Sequence, residues 1–304
     1  MDIKEILNSA ERGDRRQIAR LITILENRSQ GYEDILDKIT RIKRRAFVLG
    51  VTGPPGVGKS SLISKIAAAF SDRKRLAIIM IDASSPFTGG SLLGNRLRLE
   101  DDRNVFVRSM ATRGHSGGLT IALGDSINLL SYLGYDMIIV ESVGAGQDET
   151  DILYFSDKVI LVLAPGTGDQ IQALKAGQME IGDLVVLNKA DKNDALFSEK
   201  ELIEIMSIPN MAKKQELIKV SALTGEGIPE LIDLISAMTN DMKDDFQESI
   251  SRNKETLKRE INALIENEEK FVEERAIDVT QGKITLKEGV IAVLDKMRNS
   301  EKLK

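Results

Sequence analysis

GPPGVGKSS, Gly53 to Ser61, is the stretch on which the fold turns. It matches G-x-x-x-x-G-K-[ST] and lies between an apolar run ending at Val51 and a helical pattern from Lys59 to Phe70. Strand, glycine-rich turn and helix is the setting in which such residues hold phosphate. Glycines let backbone N–H groups turn inward with no Cβ in the way, and the helix N-terminus adds a favourable dipole. The spacing predicts that Gly53, Pro54, Pro55, Gly56, Val57 and Gly58 wrap a polyphosphate. Lys59 is then placed to reach the β- and γ-phosphates, Ser60 to ligate Mg²⁺ and Ser61 to contact the α-phosphate. The plain alternative, a Gly/Pro turn before a helix, is disfavoured by the strand and helix that flank it.

Outward from this loop, short apolar runs alternate with helical patterns. The runs are AFVLGV (46–51), LAIIMI (76–81), VFVRSM (105–110), DMIIVE (136–141), KVILVLA (158–164), DLVVLN (183–188) and LIKVSA (217–222). Continuous rather than alternating apolarity predicts strands covered on both faces. Strands separated by helices predict an α/β fold, a P-loop NTPase with a doubly wound, mainly parallel sheet.

Helical segments flank this domain at both ends. Over residues 1–45, Ile18, Leu21, Ile22 and Leu25 recur at helical spacing, as do Ile35, Ile39 and Ile42, with Gly13 and Gly31 as punctuation. The expected organisation is an N-terminal helical extension over 1–45, the nucleotide domain over 46–238 and a C-terminal helical arm over 239–304. The arm is dense in Lys and Glu and carries Leu257, Ile261, Leu264 and Ile265, then Val290, Val293, Leu294 and Met297, at helical spacing.

The chain has 304 residues, 42% hydrophobic and 29% charged, ordinary values for a globular protein. A net charge of −5 supplies no global field for nucleic acid or an anionic membrane, and neither is expected as a partner. The basic run Arg41 to Arg45 reads as a solvated helix face. With no cysteine, disulfides and thiolate metal sites are excluded. The charged start MDIKEILNSAERGDRR lacks an apolar signal core, and no run approaches the roughly 18 to 20 apolar residues of a membrane span, so a cytoplasmic location is expected.

A base pocket follows from N-K-x-D, Asn188 to Asp191, directly after DLVVLN. The Asp191 carboxylate can accept hydrogen bonds from guanine N1–H and the exocyclic amine. Adenine lacks both donors and leaves the carboxylate unpaired, a difference that can discriminate by roughly 10⁴-fold or more. Asn188 can reach the other edge of the base, and the stem of Lys189 can cover the ring. Backbone N–H groups of Ser221, Ala222 and Leu223 suit guanine O6. GTP and GDP are therefore the expected ligands.

Glu141, at the end of DMIIV and three residues before Gly144, suits a metal-side acid followed by a γ-phosphate sensor. Gly144 can offer its N–H to the γ-phosphate. Asp82, ending LAIIMI, is a second metal-side candidate, directly or through water. Gln147 invites a water-positioning role, but its spacing differs from Ras-like proteins and a loop hydrogen bond is preferred. Residues 84–98 suit a closing loop. Lys175, in PGTGDQIQALKAG, is open between a movable cation near the nucleotide and a solvated helix lysine. His115, the sole histidine, has no metal-binding company.

Together GPPGVGKSS, DASSPFTGGSLLG, TRGHSGGL, ESVGAGQDE, APGTGDQIQALKAG and NKAD resemble the MeaB/ArgK family of GTPases over roughly residues 5 to 240. The family consists of chaperones of adenosylcobalamin-dependent methylmalonyl-CoA mutase, within the class of signal recognition and metal-insertion GTPases. The resemblance implies a homodimeric, Mg²⁺-dependent GTPase that gates cofactor delivery to an acyl-CoA mutase and protects or restores it. It implies that Lys59 and Ser60 serve phosphate and Mg²⁺, that Asp82 and Glu141 are the acidic metal-side residues, and that Gly166 to Lys175 forms switch III. Asn95 stands where the family usually has Asp, a departure that bears on hydrolysis and, since an amide oxygen can still coordinate, not on binding.

No arginine finger in cis is evident, so the expectation is slow intrinsic turnover accelerated by a partner, as elsewhere by roughly 10³ to 10⁵-fold. Three other readings compete. Nickel insertion is disfavoured by zero cysteines and one histidine. A GTP-dependent kinase of an amino-acid transport binding protein is disfavoured by the absence of H-R-D. A regulatory binding module without turnover is kept open by Asn95.

Overall fold

The computed structural model describes residues 3–39, 45–82, 104–111, 116–142, 155–166, 182–207, 215–240 and 268–302, with Lys254, Lys258, Ile261 and Ile265. They fall into two compact units, divided between Asp245 and Phe246.

Seven strands form one sheet: β1 (Phe47–Thr52), β2 (Leu76–Asp82), β3 (Val105–Ala111), β4 (Met137–Glu141), β5 (Lys158–Leu163), β6 (Leu184–Leu187) and β7 (Glu216–Lys219). Their order is β3-β2-β4-β1-β5-β6-β7, and every pairing is parallel. Each expected apolar run supplies one strand. β7 is shorter than its run, because after Lys219 the chain turns into the segment that carries Ser221.

The unbroken apolarity of the strands has the expected cause. Alternate residues point to opposite faces, and both faces are buried. Val48, Ile79, Ile138 and Val140 pack on one side with helix α5 (Ser116–Tyr132), whose Leu123, Ile127 and Leu130 join the same core. Leu49, Val51, Ile78 and Ile139 pack on the other with α4 (Lys59–Phe70) and α7 (Ile228–Asn240). Farther along the sheet, Leu161, Val185 and Leu187 are covered by Leu202 and Ile205 of α6 (Ala195–Met206).

Helices α1 (Ile3–Glu11), α2 (Arg15–Asn27) and α3 (Tyr32–Ile39) match the N-terminal periodicity, with the breaks at Gly13 and Gly31. Their apolar stripe enters the first of these cores: Leu21 and Ile22 pack in the same cluster as Ile79 and Ile138. Tyr32 donates to Asp125 of α5 (3.0 Å), and Arg108 of β3 donates to Glu26 (2.6 Å). These helices are thus part of the sheet's own core. The basic run contains a correction. Arg45, expected on a solvated helix face, stands just before β1 and donates to Asp157 (3.2 Å) and to the Phe155 carbonyl (3.1 Å).

The second unit contains α8 (Glu269–Thr280) and α9 (Leu286–Lys302), packed on each other. Much of their apolar surface faces outward, including Leu286, Val290 and Leu294. Among the described residues no helix is long and apolar enough to cross a membrane.

Candidate functional site

In a parallel sheet all strands exit on one edge, and loops there share one space. β1 exits into the phosphate loop, β4 into Glu141 and Ser142, β6 into Asn188, and β7 into Ser221.

The phosphate loop is shaped by close approaches. Gly53 has φ 140°, and a Cβ there would sit 2.1 Å from the carbonyl oxygen of Val162. Gly58, the residue before α4, has φ 95°, and its Cβ would meet the Asn188 amide nitrogen at 2.5 Å. Neither position admits a side chain, so sheet and base-side loop press directly on the loop's backbone.

Lys59 is buried, and its Nζ donates to the carbonyls of Gly53 (2.6 Å) and Pro54 (3.1 Å), which keeps the ammonium inside the loop. Ser60 Oγ donates to Glu141 Oε1 at 2.8 Å. A hydroxyl and a carboxylate from adjacent elements thus converge, hard oxygen donors of the kind Mg²⁺ takes. Among the described residues no three His, Asp or Glu side chains gather as a metal cage. Such a donor pair suits an ion that completes its shell with phosphate oxygens and water.

Ser142 Oγ donates to Thr52 Oγ1 (2.8 Å), and both residues are buried. The Ser142 N–H also donates to the Val51 carbonyl (3.0 Å). This tie between the exits of β1 and β4 escaped the sequence reading. Its signal in the sequence is a hydroxyl residue directly after each of two strand-like runs, Thr52 after 46–51 and Ser142 after 136–141.

On the base side, the Asn188 amide donates to the Val57 carbonyl (2.8 Å), and its oxygen accepts from the Ala222 N–H (3.0 Å). Asn188 therefore ties the phosphate loop to the segment after β7. Lys189 adopts φ 60° and donates to the Gly56 carbonyl (2.6 Å). Asp191 accepts from Ser221 Oγ (2.5 Å), which in turn accepts from the Thr224 N–H (3.1 Å). This chain of bonds holds the carboxylate in place, while Leu223 stands 84% exposed at the rim.

The structure thus brings Gly53 to Ser61, Glu141, Asn188, Lys189, Asp191, Ser221 and Ala222 to one edge. Asp82 ends β2, where the pairing of Met80 with Glu141 sets it two residues past the level of that acid. Only its backbone is described. Gly144, Gln147, Lys175, Asn95 and His115 lie outside the described residues.

Comparison with known proteins agrees with this arrangement. The family model for the methylmalonyl-CoA mutase-associated GTPase MeaB matches residues 18–277. A protein of Pyrococcus abyssi named as a GTPase is 44% identical over 242 residues, 77% of this chain and 75% of its own length. GTPase ArgK of Escherichia coli is 32% identical over 255 residues, 78% of this chain and 77% of its own. The crystal structure of a LAO/AO transport system kinase covers 97% of both chains with a TM-score of 0.67 at 22% identity, a likeness of fold alone. With this sheet order, this phosphate loop and a family match across most of its length, the chain belongs to the methylmalonyl-CoA mutase-associated GTPases of the MeaB family and is a GTP-binding GTP hydrolase.

Proposed function

We propose that this GTPase is a Mg²⁺-dependent switch that serves an adenosylcobalamin-dependent acyl-CoA mutase of the methylmalonyl-CoA type. In this reading it gates cofactor loading and protects or reactivates the mutase. The observation that carries the nucleotide half is the 2.8 Å bond between Ser60 and Glu141 beside the buried Lys59. The family to which the chain belongs supports the mutase half.

The phosphate loop from Gly53 to Gly58 offers its N–H groups to the phosphates, and Lys59 and Ser61 complete the cradle. Lys59 neutralises charge that develops on the transferring group. Ser60 and Glu141 would hold Mg²⁺, with Asp82 as a further acid on the neighbouring strand. Bound there, the ion would supply positive charge that offsets the charge of the phosphates. Asp191, held by Ser221, accepts from the guanine, and Asn188, Ala222 and Leu223 frame the base. Gly144 keeps the γ-phosphate role that its sequence position suggests, Gln147 and Lys175 stay candidates for the switch, and Asn95 a candidate on the metal side. The tie from Ser142 to Thr52 fixes the exit of β4 beside that of β1, next to Glu141.

A switch needs differential affinity, about 5.5 kcal/mol for a nearly complete flip between two states. Loops that touch the γ-phosphate can provide it. The test is steady-state GTP turnover with and without the cognate mutase. Stimulation is expected, and an unchanged rate with a mutase that demonstrably binds removes the switch reading.

A homodimer is proposed through the second unit. Ile277, Leu286, Val290, Ile291 and Leu294 of α8 and α9 are exposed apolar residues, and a face of this kind calls for a partner. Leu294→Asp is expected to convert the dimer to monomer in sedimentation equilibrium while intrinsic turnover stays the same.

A further inference from the structure

At the entry edge of the sheet, opposite the nucleotide loops, a cavity of about 710 Å³ is lined by Glu11, Arg12, Gly13, Asp14, Arg15, Arg16 and Arg75. Among the described residues, four arginines line it and no apolar side chain does. With two acids the lining carries a formal +2, in a chain whose net charge is −5.

Both acids have work within the fold. Asp14 accepts from the Arg16 and Gln17 N–H groups (2.9 and 3.3 Å) and from Ser9 Oγ (3.2 Å). Glu11 accepts from the Tyr132 hydroxyl (2.5 Å). Arg75 is positioned rather than loose. It donates to the Leu133 carbonyl (2.8 Å), and its guanidinium lies 4.7 Å from the centre of the Tyr135 ring. Burial raises the pKa of the Tyr135 phenol, and the positive charges of Arg75 and Arg15 act against that rise.

The kind of anion follows from what the backbone has left. Phosphate sites offer runs of backbone N–H groups. Here the N–H groups of Gly13 and Asp14 are spent on the Ala10 and Ser9 carbonyls, and those of Arg16 and Gln17 on Asp14. The lining offers guanidinium groups instead, from Arg12 in the turn after α1 and from Arg15 and Arg16 at the start of α2, and such groups match carboxylates two bonds at a time. We propose that this groove docks an acidic peptide segment of a partner protein, at the edge of the sheet opposite the nucleotide.

Fluorescence anisotropy with labelled hexaglutamate tests this on the full-length, GDP-loaded protein. Arg12 and Arg16 are exposed and outside the nucleotide machinery, so Arg12→Ala/Arg16→Ala should keep wild-type GTP turnover. The expected result is binding that falls with salt and weakens about tenfold or more in the double variant. Hexaglutamine should not bind, and tripolyphosphate should displace the peptide no better than chloride of equal ionic strength. The proposal is overturned if hexaglutamate fails to bind, if it binds wild type and variant alike, or if tripolyphosphate displaces it preferentially.

Discussion

The two edges of the sheet use the same strands in opposite ways. At the entry edge, three aspartates each stand just before a strand and accept the N–H of the neighbouring chain. Asp136 takes the Arg75 N–H (3.0 Å), Asp157 that of Val48 (2.7 Å) and Asp183 that of Val159 (2.8 Å). At the exit edge, glycine turns and the side chains of Lys59, Ser60, Glu141 and Asp191 meet instead. One edge is closed by its own carboxylates, which contributes stability. The other presents groups that a nucleotide can pair, which contributes function. Stability and chemistry should therefore respond to different residues.

The largest effect is expected at Asp191. Asp191→Ala should erase a GTP-over-ATP preference on the order of 10⁴-fold, read from competitive nucleotide titration, with little change in unfolding. A variant that keeps its preference would place guanine recognition elsewhere. Lys59→Ala comes next, with turnover lower by about 10² to 10³-fold in single-turnover hydrolysis. If that change lowered the urea midpoint more than the rate, the division between the edges would fail.

Asp157→Ala tests the closed edge. It strands the Val48 N–H and removes one partner of Arg45, so a loss of about 1 to 3 kcal/mol in urea unfolding is expected, with GTP affinity preserved. A fall in affinity without a fall in stability would reverse the assignment.

The smallest effect concerns Tyr132, whose phenol is held above its ordinary pKa, first by the hydrogen bond to Glu11 and then by burial. A raised folded pKa contributes stability below the unfolded value near 10, and that contribution is lost as pH rises through the folded value. Tyr132 is only partly buried, so Tyr132→Phe should cost no more than about 0.5 kcal/mol at neutral pH. The gap from wild type should close only in alkali. A gap already closing at neutral pH would point to another group.

The terminal helices show where sequence reading stops. Ile18, Leu21, Ile22 and Leu25 repeat at helical spacing, and so do Val290, Leu294 and Met297. The first set is fully buried in the sheet's core, whereas Val290 and Leu294 are about half exposed. Periodicity reports that a helix has an apolar side. It does not report what covers that side, because the covering surface comes from residues distant in the chain.

The same division holds at the site. The phosphate loop and N-K-x-D were legible because each is a contiguous run whose spacing carries its chemistry. All seven strands were legible because burial on both faces leaves an unbroken apolar run. Two ties were invisible in one dimension: Ser142 with Thr52, and Asn188 with Val57 and Ala222. Each joins residues far apart along the chain, and a hydrogen bond needs its atoms within about 3 Å. Spacing along a chain can specify a loop, but only the packing of parallel strands brings their separate ends to such distances.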